Sequence, residues 1–424
     1  MKKTKVAALI LSLGLAHQTL GKSPEEKWRE LNRDFNTTNS KNSFCYRENG
    51  RLYGENEDKL VTIASVSKVI TSLWAIEELG ADYQYETKFY LSGKKLHIEG
   101  SLDPVYSKRK LFFLLAQLNE IGVTELEEIS FDDNTRVYTK AEDYLGNLLT
   151  VSPARTAANL KDFWNTPTWN KLKPAYQSYV KSLPSSLKEE LNIPDKWSDL
   201  TLKVGKVYHR NDMPFPQAEG YQHLSPPISK YLKFMNIMSN NYIADQVFDK
   251  LGGEKAFDAY LEKVKSEEES GEVTTMKMYT GSGLNTTRKG SRVDNKSTCR
   301  TVTTLISRLD RILDGGTTTI QEVVAVPGSD GGTFKKRLTS SRMANTMVAK
   351  TGTLYHTSAL AGLINSDAGR IPFGVFHQLT GWKGNAKVVQ NKTVEHLWST
   401  TGGAKFNYKK EFFFPASETL KALE

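Results

Sequence analysis

Apolar residues spaced three and four apart mark the helices of this chain. Val69, Leu73 and Ile76 share one face of a stretch from about Ser65 to Leu79, and Gly80 closes it. The same period predicts helices through Leu111 to Ile121, Ile228 to Ile237, from near Ile243, over Ser297 to Leu313 and over Ala386 to Trp398. Alternation with period two predicts strands. Phe44 to Tyr46 and Arg51 to Tyr53 flank Glu48-Asn49-Gly50, a hairpin signal. Further strands are expected at Lys88–Leu91, Lys95–Ile98, Glu128–Phe131, Ala359–Ile364 and Ile371–His377, with Met347–Ala349 entering Lys350 as an edge strand. Between Asp82 and about Tyr221 the elements shorten, and a Pro- and Trp-marked stretch runs from Pro153 to Trp197. The expected organisation is an α/β (α+β) unit with a central sheet between helices, built from 22–81 and 222–424. A smaller α+β domain, 82–221, is inserted into it.

The remaining features narrow the class. A chain of 424 residues exceeds one comfortable core, and 38% apolar with 25% charged residues is an ordinary globular composition. Lys2, Lys3 and Lys5, the apolar run Val6–Ala16 and the small residues after it read as a secretory leader, 1–21, cleaved after Gly21. No later segment approaches the ~20 apolar residues of a spanning helix. Export to the periplasm is therefore expected, with no lipoprotein cysteine at the cleavage point. The net charge of +9 falls to about +6 without the leader, which suits anionic wall polymers or headgroups. No basic recognition motif supports nucleic-acid binding. Cys45 and Cys299 are the only cysteines; export permits a disulfide, but spacing leaves pairing open against two buried thiols. The seven histidines form no metal-ligand pattern, so no metal or cofactor is expected, and no G-x-S-x-G elbow is present.

Three short segments carry the chemistry: Ser65-Val66-Ser67-Lys68, Ser239-Asn240-Asn241 and Lys350-Thr351-Gly352-Thr353. A lysine three residues after a serine on a helix puts amine and hydroxyl on one face, an activated nucleophile if the amine is neutral. S-x-x-K alone is weak. It recurs at Ser107/Lys110 and Ser185/Lys188, read as a basic solvated surface and an ordinary helix face. Singly, Ser65 would be an N-cap, Lys68 a solvated lysine, and Ser239 and Asn241 helix-end polar residues. The ordered set of three is specific.

With these contexts the chain resembles the class C low-molecular-mass penicillin-binding proteins, the D-alanyl-D-alanine carboxypeptidase/endopeptidase family. Gly100-Ser101-Leu102-Asp103-Pro104, Ser225-Pro226-Pro227, Ser239 to Asp245 and Gly281-Ser282-Gly283-Leu284 extend the likeness across about residues 40 to 400. It implies a transpeptidase-like fold with a central antiparallel sheet, and hydrolysis of peptidoglycan stem peptides through a serine ester. The implied roles are Ser65 as nucleophile, Lys68 as base, Ser239 as proton relay and Asn241 on a substrate amide. Lys350, Thr351 and Thr353 would hold the substrate carboxylate, Gly352 completes that segment, and the N–H groups of Ser65 and Thr353 would form the oxyanion hole. β-Lactams are implied covalent inhibitors.

There are departures from the family. The Ser65–Ser239 interval is short, and Asn285-Thr286-Thr287-Arg288 lacks an earlier arginine. Tyr355 stands where relatives often carry glutamine. Arg288 or Arg292 is a candidate for a second substrate carboxylate. His356 reads as structural or exposed. Lys405–Phe414 reads as a tail docked on the body, with at most peripheral membrane contact as its alternative. Two other functions compete: a catalytically weak penicillin-binding wall-interaction protein and a serine β-lactamase. The latter needs an E-x-x-L-N glutamate, and Trp28 and Lys188 occupy that position before Leu31-Asn32 and Leu191-Asn192.

Overall fold

A computed structural model describes residues 21–140, 150–367, 369–381 and 383–423. The expected leader, except Gly21, lies outside the described residues. The hairpin forms as anticipated: Ser43–Glu48 pairs with Arg51–Glu55, and Glu48 faces Arg51 across Asn49-Gly50. Both turn residues have positive φ, 50° and 78°, as a two-residue hairpin turn requires. This hairpin completes an antiparallel sheet whose other strands come from the far end of the chain. Its order is Met347–Leu354, Thr357–Ser366, Gly369–Gln378, Ser43–Glu48, Arg51–Glu55. Met347–Leu354 is an edge strand, so one side of the Lys350–Thr353 segment is unpaired within the sheet.

Alternation within the strands sorts side chains between two layers. Leu360 and Ile364 face the helices Pro24–Asp34 and Lys383–Thr401, packing with Trp28, Val389 and Leu397. Ala359, Ala361 and Leu363 face the other layer, which contains Ser67–Leu79 and Cys299–Leu313. The first of these helices was expected to bury a single stripe. Instead every residue from Ser67 to Ile76 is buried, because Cys299–Leu313, Ile228–Met238 and Asn241–Lys250 surround it. Trp74 anchors it, its ring 5.4–5.7 Å from those of Phe248, Phe257 and Tyr260. Cys45 and Cys299 form a disulfide that ties the first strand to the start of the helix Cys299–Leu313.

A second sheet has the order Lys421–Ala422, Glu219–Leu224, Glu86–Ser92, Lys95–Glu99, Glu125–Phe131, Lys203–His209. Its last three strands are mutually parallel. The helices Lys108–Glu120, Pro153–Trp164 and Leu172–Lys181 cover it with a separate aromatic core that includes Phe112, Phe113, Trp164, Trp169 and Tyr176. Strand Glu219–Leu224 runs past the boundary expected at residue 221, since its pairing continues to Leu224 opposite Glu86. The tail also crosses over. Phe413 stacks 4.3 Å from Phe234, Phe414 meets Phe113, and Lys421–Ala422 pairs with Gln222 and Tyr221. Residues after about Phe414 therefore pack with the second sheet, although 222–424 was expected to lie with the first. Among the described residues no helix is long and apolar enough to cross a membrane.

Lys110 corrects another expectation. It is not on a solvated surface: its ammonium and the Asp103 carboxylate form a fully buried ion pair, and Tyr231 Oη donates to the same carboxylate at 3.0 Å. Asp103 lies in the Gly100–Pro104 segment and Tyr231 on Ile228–Met238, so this group links the two sheet systems. Ser185/Lys188 does lie on a short helix, Ser185–Glu190.

The disulfide spans 254 residues of sequence, and opening it enlarges the unfolded ensemble. Reduction, or the Cys45→Ala/Cys299→Ala pair, is expected to cost about 2–5 kcal/mol, read as a lower urea midpoint. An unchanged midpoint would show that the bridge adds no stability.

Candidate active site

The segment expected to carry the nucleophile, Ser65, is shaped by close backbone packing. Strand Val61–Thr62 leads into a single tight turn, Ala64–Val66, and then the helix Ser67–Leu79. Ala64 has φ +49°, uncommon for a residue with a Cβ, and Ser67 Oγ donates to its carbonyl at 2.7 Å. Two glycines make room. A Cβ on Gly283 would lie 1.9 Å from the Ala64 oxygen, and one on Gly352 would lie 2.8 Å from the Ile63 oxygen. The Gly281–Leu284 loop and the edge strand thus abut the turn that carries Ser65.

The second segment divides its work among three residues. Ser239 ends the helix Ile228–Met238 in the left-handed conformation, φ 54°. Asn240 caps the next helix, its Oδ1 accepting from the Ile243 N–H at 3.0 Å. That frees Asn241 to turn inward. Asn236 Nδ2 bonds Ser72 Oγ at 3.0 Å and fixes the first of these helices against the helix Ser67–Leu79.

The three segments converge. Lys68 Nζ lies 3.1 Å from Ser65 Oγ, 2.8 Å from Asn241 Oδ1 and 2.7 Å from the Ser282 carbonyl oxygen. Lys350 Nζ donates to Ser239 Oγ at 2.9 Å and to the Thr351 carbonyl at 2.9 Å. Both lysines are fully buried, whereas Ser65, Ser239 and Asn241 are partly open and Thr353 is exposed. Burial drives the Lys68 amine well below the ordinary lysine range, opposed only by the Asp245 carboxylate. The same desolvation, with the neighbouring Lys68 charge, lowers Lys350. Asp245 is itself raised by burial, against the Ser282 N–H that its Oδ1 accepts at 2.7 Å and the Lys68 charge. A neutral Lys68 can accept a proton from Ser65, which is the first requirement of an activated serine.

Seven of the expected residues therefore lie in or directly beside one cluster: Ser65, Lys68, Ser239, Asn241, Lys350, Thr351 and Gly352. Thr353 follows on the same strand. Arg288 does not join them by any hydrogen bond. It sits on the exposed hairpin Thr286–Arg288/Ser291–Val293 and pairs with Glu254, and Arg292 pairs with Asp294. His356 is exposed, its ring 4.2 Å from that of Tyr355. Two supporting residues had no role assigned from sequence. Asp245 follows Asn241 by four residues on one helix, a spacing that places it a turn away and could have flagged it. Asn295 bonds Ser67 Oγ at 3.0 Å and the Thr280 carbonyl at 2.6 Å, and its carbonyl accepts from Ile63 N–H. Nothing local in the sequence marks it.

Comparison with known proteins places the chain in a family. The sequence matches the D-Ala-D-Ala carboxypeptidase 3 (S13) family over residues 46–146 and 196–395. No curated protein sequence matches it. Among solved structures it is similar to the Bdellovibrio bacteriovorus predatory endopeptidase Bd0816, in complex with immunity protein Bd3460. Identity is 26%, TM-score 0.74, with 90% of this chain and 99% of that one covered. Penicillin G acylated Bd3459 from the same organism is 26% identical, TM-score 0.75, with the same coverage. The penicillin binding protein 4 (dacB) of Haemophilus influenzae shares the fold at 18% identity, TM-score 0.56, covering 88% and 99%. The chain belongs to the D-Ala-D-Ala carboxypeptidase 3 (S13) family and is a serine peptidase of the penicillin-binding type.

Proposed function

We propose that the protein is an exported D,D-peptidase that removes terminal D-alanine from peptidoglycan stem peptides and opens D-Ala–diaminopimelate crosslinks through an acyl-enzyme on Ser65. The observation that carries this reading is the Lys68 amine, buried and held at once on Ser65 Oγ, Asn241 Oδ1 and the Ser282 carbonyl. Ser65 Oγ attacks the penultimate D-alanine carbonyl and passes its proton to Lys68. The N–H groups of Ser65 and Thr353 receive the developing oxyanion, a contribution of a few kcal/mol per donor. Lys350, Thr351 and Thr353 hold the terminal carboxylate by charge-assisted bonds, which also favours a charged Lys350 once substrate is bound. When the C–N bond breaks, Ser239 passes a proton to the leaving amine and recovers one from Lys68, which becomes neutral again. Water then attacks the ester and gives a proton to Lys68, which returns it to Ser65 Oγ as the ester C–O bond breaks. β-Lactams would acylate the same oxygen.

The β-lactamase alternative draws no support from the two L-N segments. Asn32 lies on Pro24–Asp34, on the opposite side of the sheet from the nucleophile helix, and Asn192 follows a short helix of the second unit. Periplasmic localisation rests on the leader and on the substrate.

Incubation with a pentapeptide monomer and a D,D-crosslinked dimer, followed by mass spectrometry of the muropeptides, tests the proposal. Wild type should release D-alanine, convert dimer to monomer, or both. Ser65→Ala should fall by roughly 10⁴–10⁶-fold. Unchanged substrates with wild type, despite a penicillin adduct on Ser65, would favour the wall-interaction reading.

The Lys68–Asp245 pair adds a pH prediction. The carboxylate stabilises the Lys68 ammonium, so removing it lets the amine lose its proton more easily. Asp245→Asn should therefore move the acid limb of kcat/KM to lower pH. A limb that stays put or moves up would contradict the assignment of Lys68 as the base.

A further inference from the structure

The chain that leads into Ser65 is held from two sides by side-chain amides that have no part in the chemistry above. Strand Val61–Thr62 is the outer strand of a small sheet and pairs with Lys296–Ser297 along one edge. On that edge the Ile63 N–H donates to the Asn295 carbonyl at 3.1 Å. The N–H and carbonyl of Thr62 are left for the other edge, where a further strand would ordinarily receive them. The side chain of Gln378 takes both. Its Oε1 accepts from the Thr62 N–H at 3.1 Å, and its Nε2 donates to the Thr62 carbonyl at 3.1 Å. Gln378 ends the central-sheet strand Gly369–Gln378, and its own backbone N–H donates to Asn42 Oδ1 at 2.9 Å.

Asn295 grips the same segment on the far side of Ser65. Its Nδ2 donates to Ser67 Oγ at 3.0 Å, and Ser67 Oγ donates to the carbonyl of Ala64, the residue with φ +49°. The same amide donates to the Thr280 carbonyl at 2.6 Å and accepts from the N–H groups of Tyr279 and Thr280 at 2.8 and 3.3 Å. Those residues run directly into Gly281–Leu284, whose Ser282 carbonyl bonds Lys68. Both amides are buried. Each presents a donor and an acceptor in one plane, so it fixes position and orientation together. A backbone like that of Ala64 persists only where its surroundings over-determine it. Neither amide bonds Ser65 Oγ, Lys68 Nζ or Lys350 Nζ, so any effect on the reaction comes from where they hold Ser65.

We propose that Gln378 and Asn295 are positioning residues that clamp residues 62–67 between them. The clamp sets the line of attack of Ser65 Oγ and the direction of the Ser65 N–H. The proposal rests on the reading of Ser65 as the nucleophile. A reacting group displaced by about 1 Å can cost about 10²-fold in rate. The Lys350–Thr353 side of the cleft is held separately, by its own pairing with Thr357–Ser366. Loosening the clamp therefore slows acylation and leaves ligand binding in place.

The test follows penicillin G adduct formation against penicillin concentration in wild type, Gln378→Met, Asn295→Ala and the double variant, each with its urea midpoint measured alongside. Asn295→Asp, which keeps the shape, replaces Asn295→Ala if that variant does not fold. Each single variant should lose about 10–100-fold in maximal rate, with the half-saturating concentration within about twofold of wild type. The double variant should lose less than the product of the two single losses, because both amides hold one segment. In Gln378→Met the acid limb of the rate should stay at the wild-type pH, since the lost bonds reach Thr62 and not the surroundings of Lys68. An unchanged maximal rate beside a lowered urea midpoint would make the amides merely structural and overturn the proposal. A loss confined to the half-saturating concentration, a double loss equal to the product, or a displaced limb would overturn it too. Hydrogen exchange over residues 62–68, read by mass spectrometry on the folded proteins, judges the clamp without chemistry and should quicken in both single variants. A wild type that forms no adduct would count against the Ser65 reading, whereas unchanged exchange in either variant would overturn the clamp.

Discussion

Two lysine amines buried in one cleft, with the Asp245 carboxylate opposing the desolvation of Lys68 but not that of Lys350, are the constraint around which this site is built. Removing an ammonium from water is costly, and a lysine in such a place sheds its proton or finds a partner. Lys68 is surrounded by oxygens that accept from an amine in either state: Ser65 Oγ, Asn241 Oδ1 and the Ser282 carbonyl. Among the described residues Lys350 bonds only the Ser239 hydroxyl and the Thr351 carbonyl. A cleft of this kind favours a neutral amine at Lys68 and an anion beside Lys350. Those are the two demands of the proposed cleavage next to a free C-terminus.

That arrangement needs backbones held closer than side chains normally permit. The turn at Ala64–Val66 is pressed between the Gly281–Leu284 loop and the edge strand, and Gly283 and Gly352 allow the contact. The sheet that presents the edge strand is closed by an N-terminal hairpin and pinned by the Cys45–Cys299 bridge. The helix ending at Ser239 is held from the other side. Tyr231 bonds the buried Asp103–Lys110 pair, and Lys233 bonds Asp330 at 2.6 Å and the Gln321 and Val324 carbonyls. The accessory sheet and the C-terminal tail thus brace the element that carries the second motif.

What could be read from the sequence follows from locality. Asn49-Gly50 specifies its hairpin through two positive φ values, and Ser65/Lys68 are juxtaposed by one turn of chain. The three motifs were legible as a set because each is short and their order is informative. What escaped depends on distant partners. Lys110 looks solvated until Asp103 and Tyr231 are folded onto it. Arg288 looks available until Glu254, on the helix Gly253–Glu267, claims it. Asn295 supports the nucleophile turn from an unremarkable loop, and the crossing of the tail depends on Phe413 and Phe414 meeting aromatic rings on two different helices.

The state of the Lys68 amine is what the whole account stands on, and acylation measures it without turnover. The rate of penicillin G adduct formation on the intact protein, followed by mass spectrometry across pH, reports the fraction of Lys68 that can accept the Ser65 proton. The account predicts a rate that rises with pH along a single acid limb well below the ordinary lysine range, and that is lost in Lys68→Arg, whose side chain keeps its proton. A rate that begins to rise only near the ordinary lysine range, or a Lys68→Arg protein acylated as fast as wild type, would contradict it.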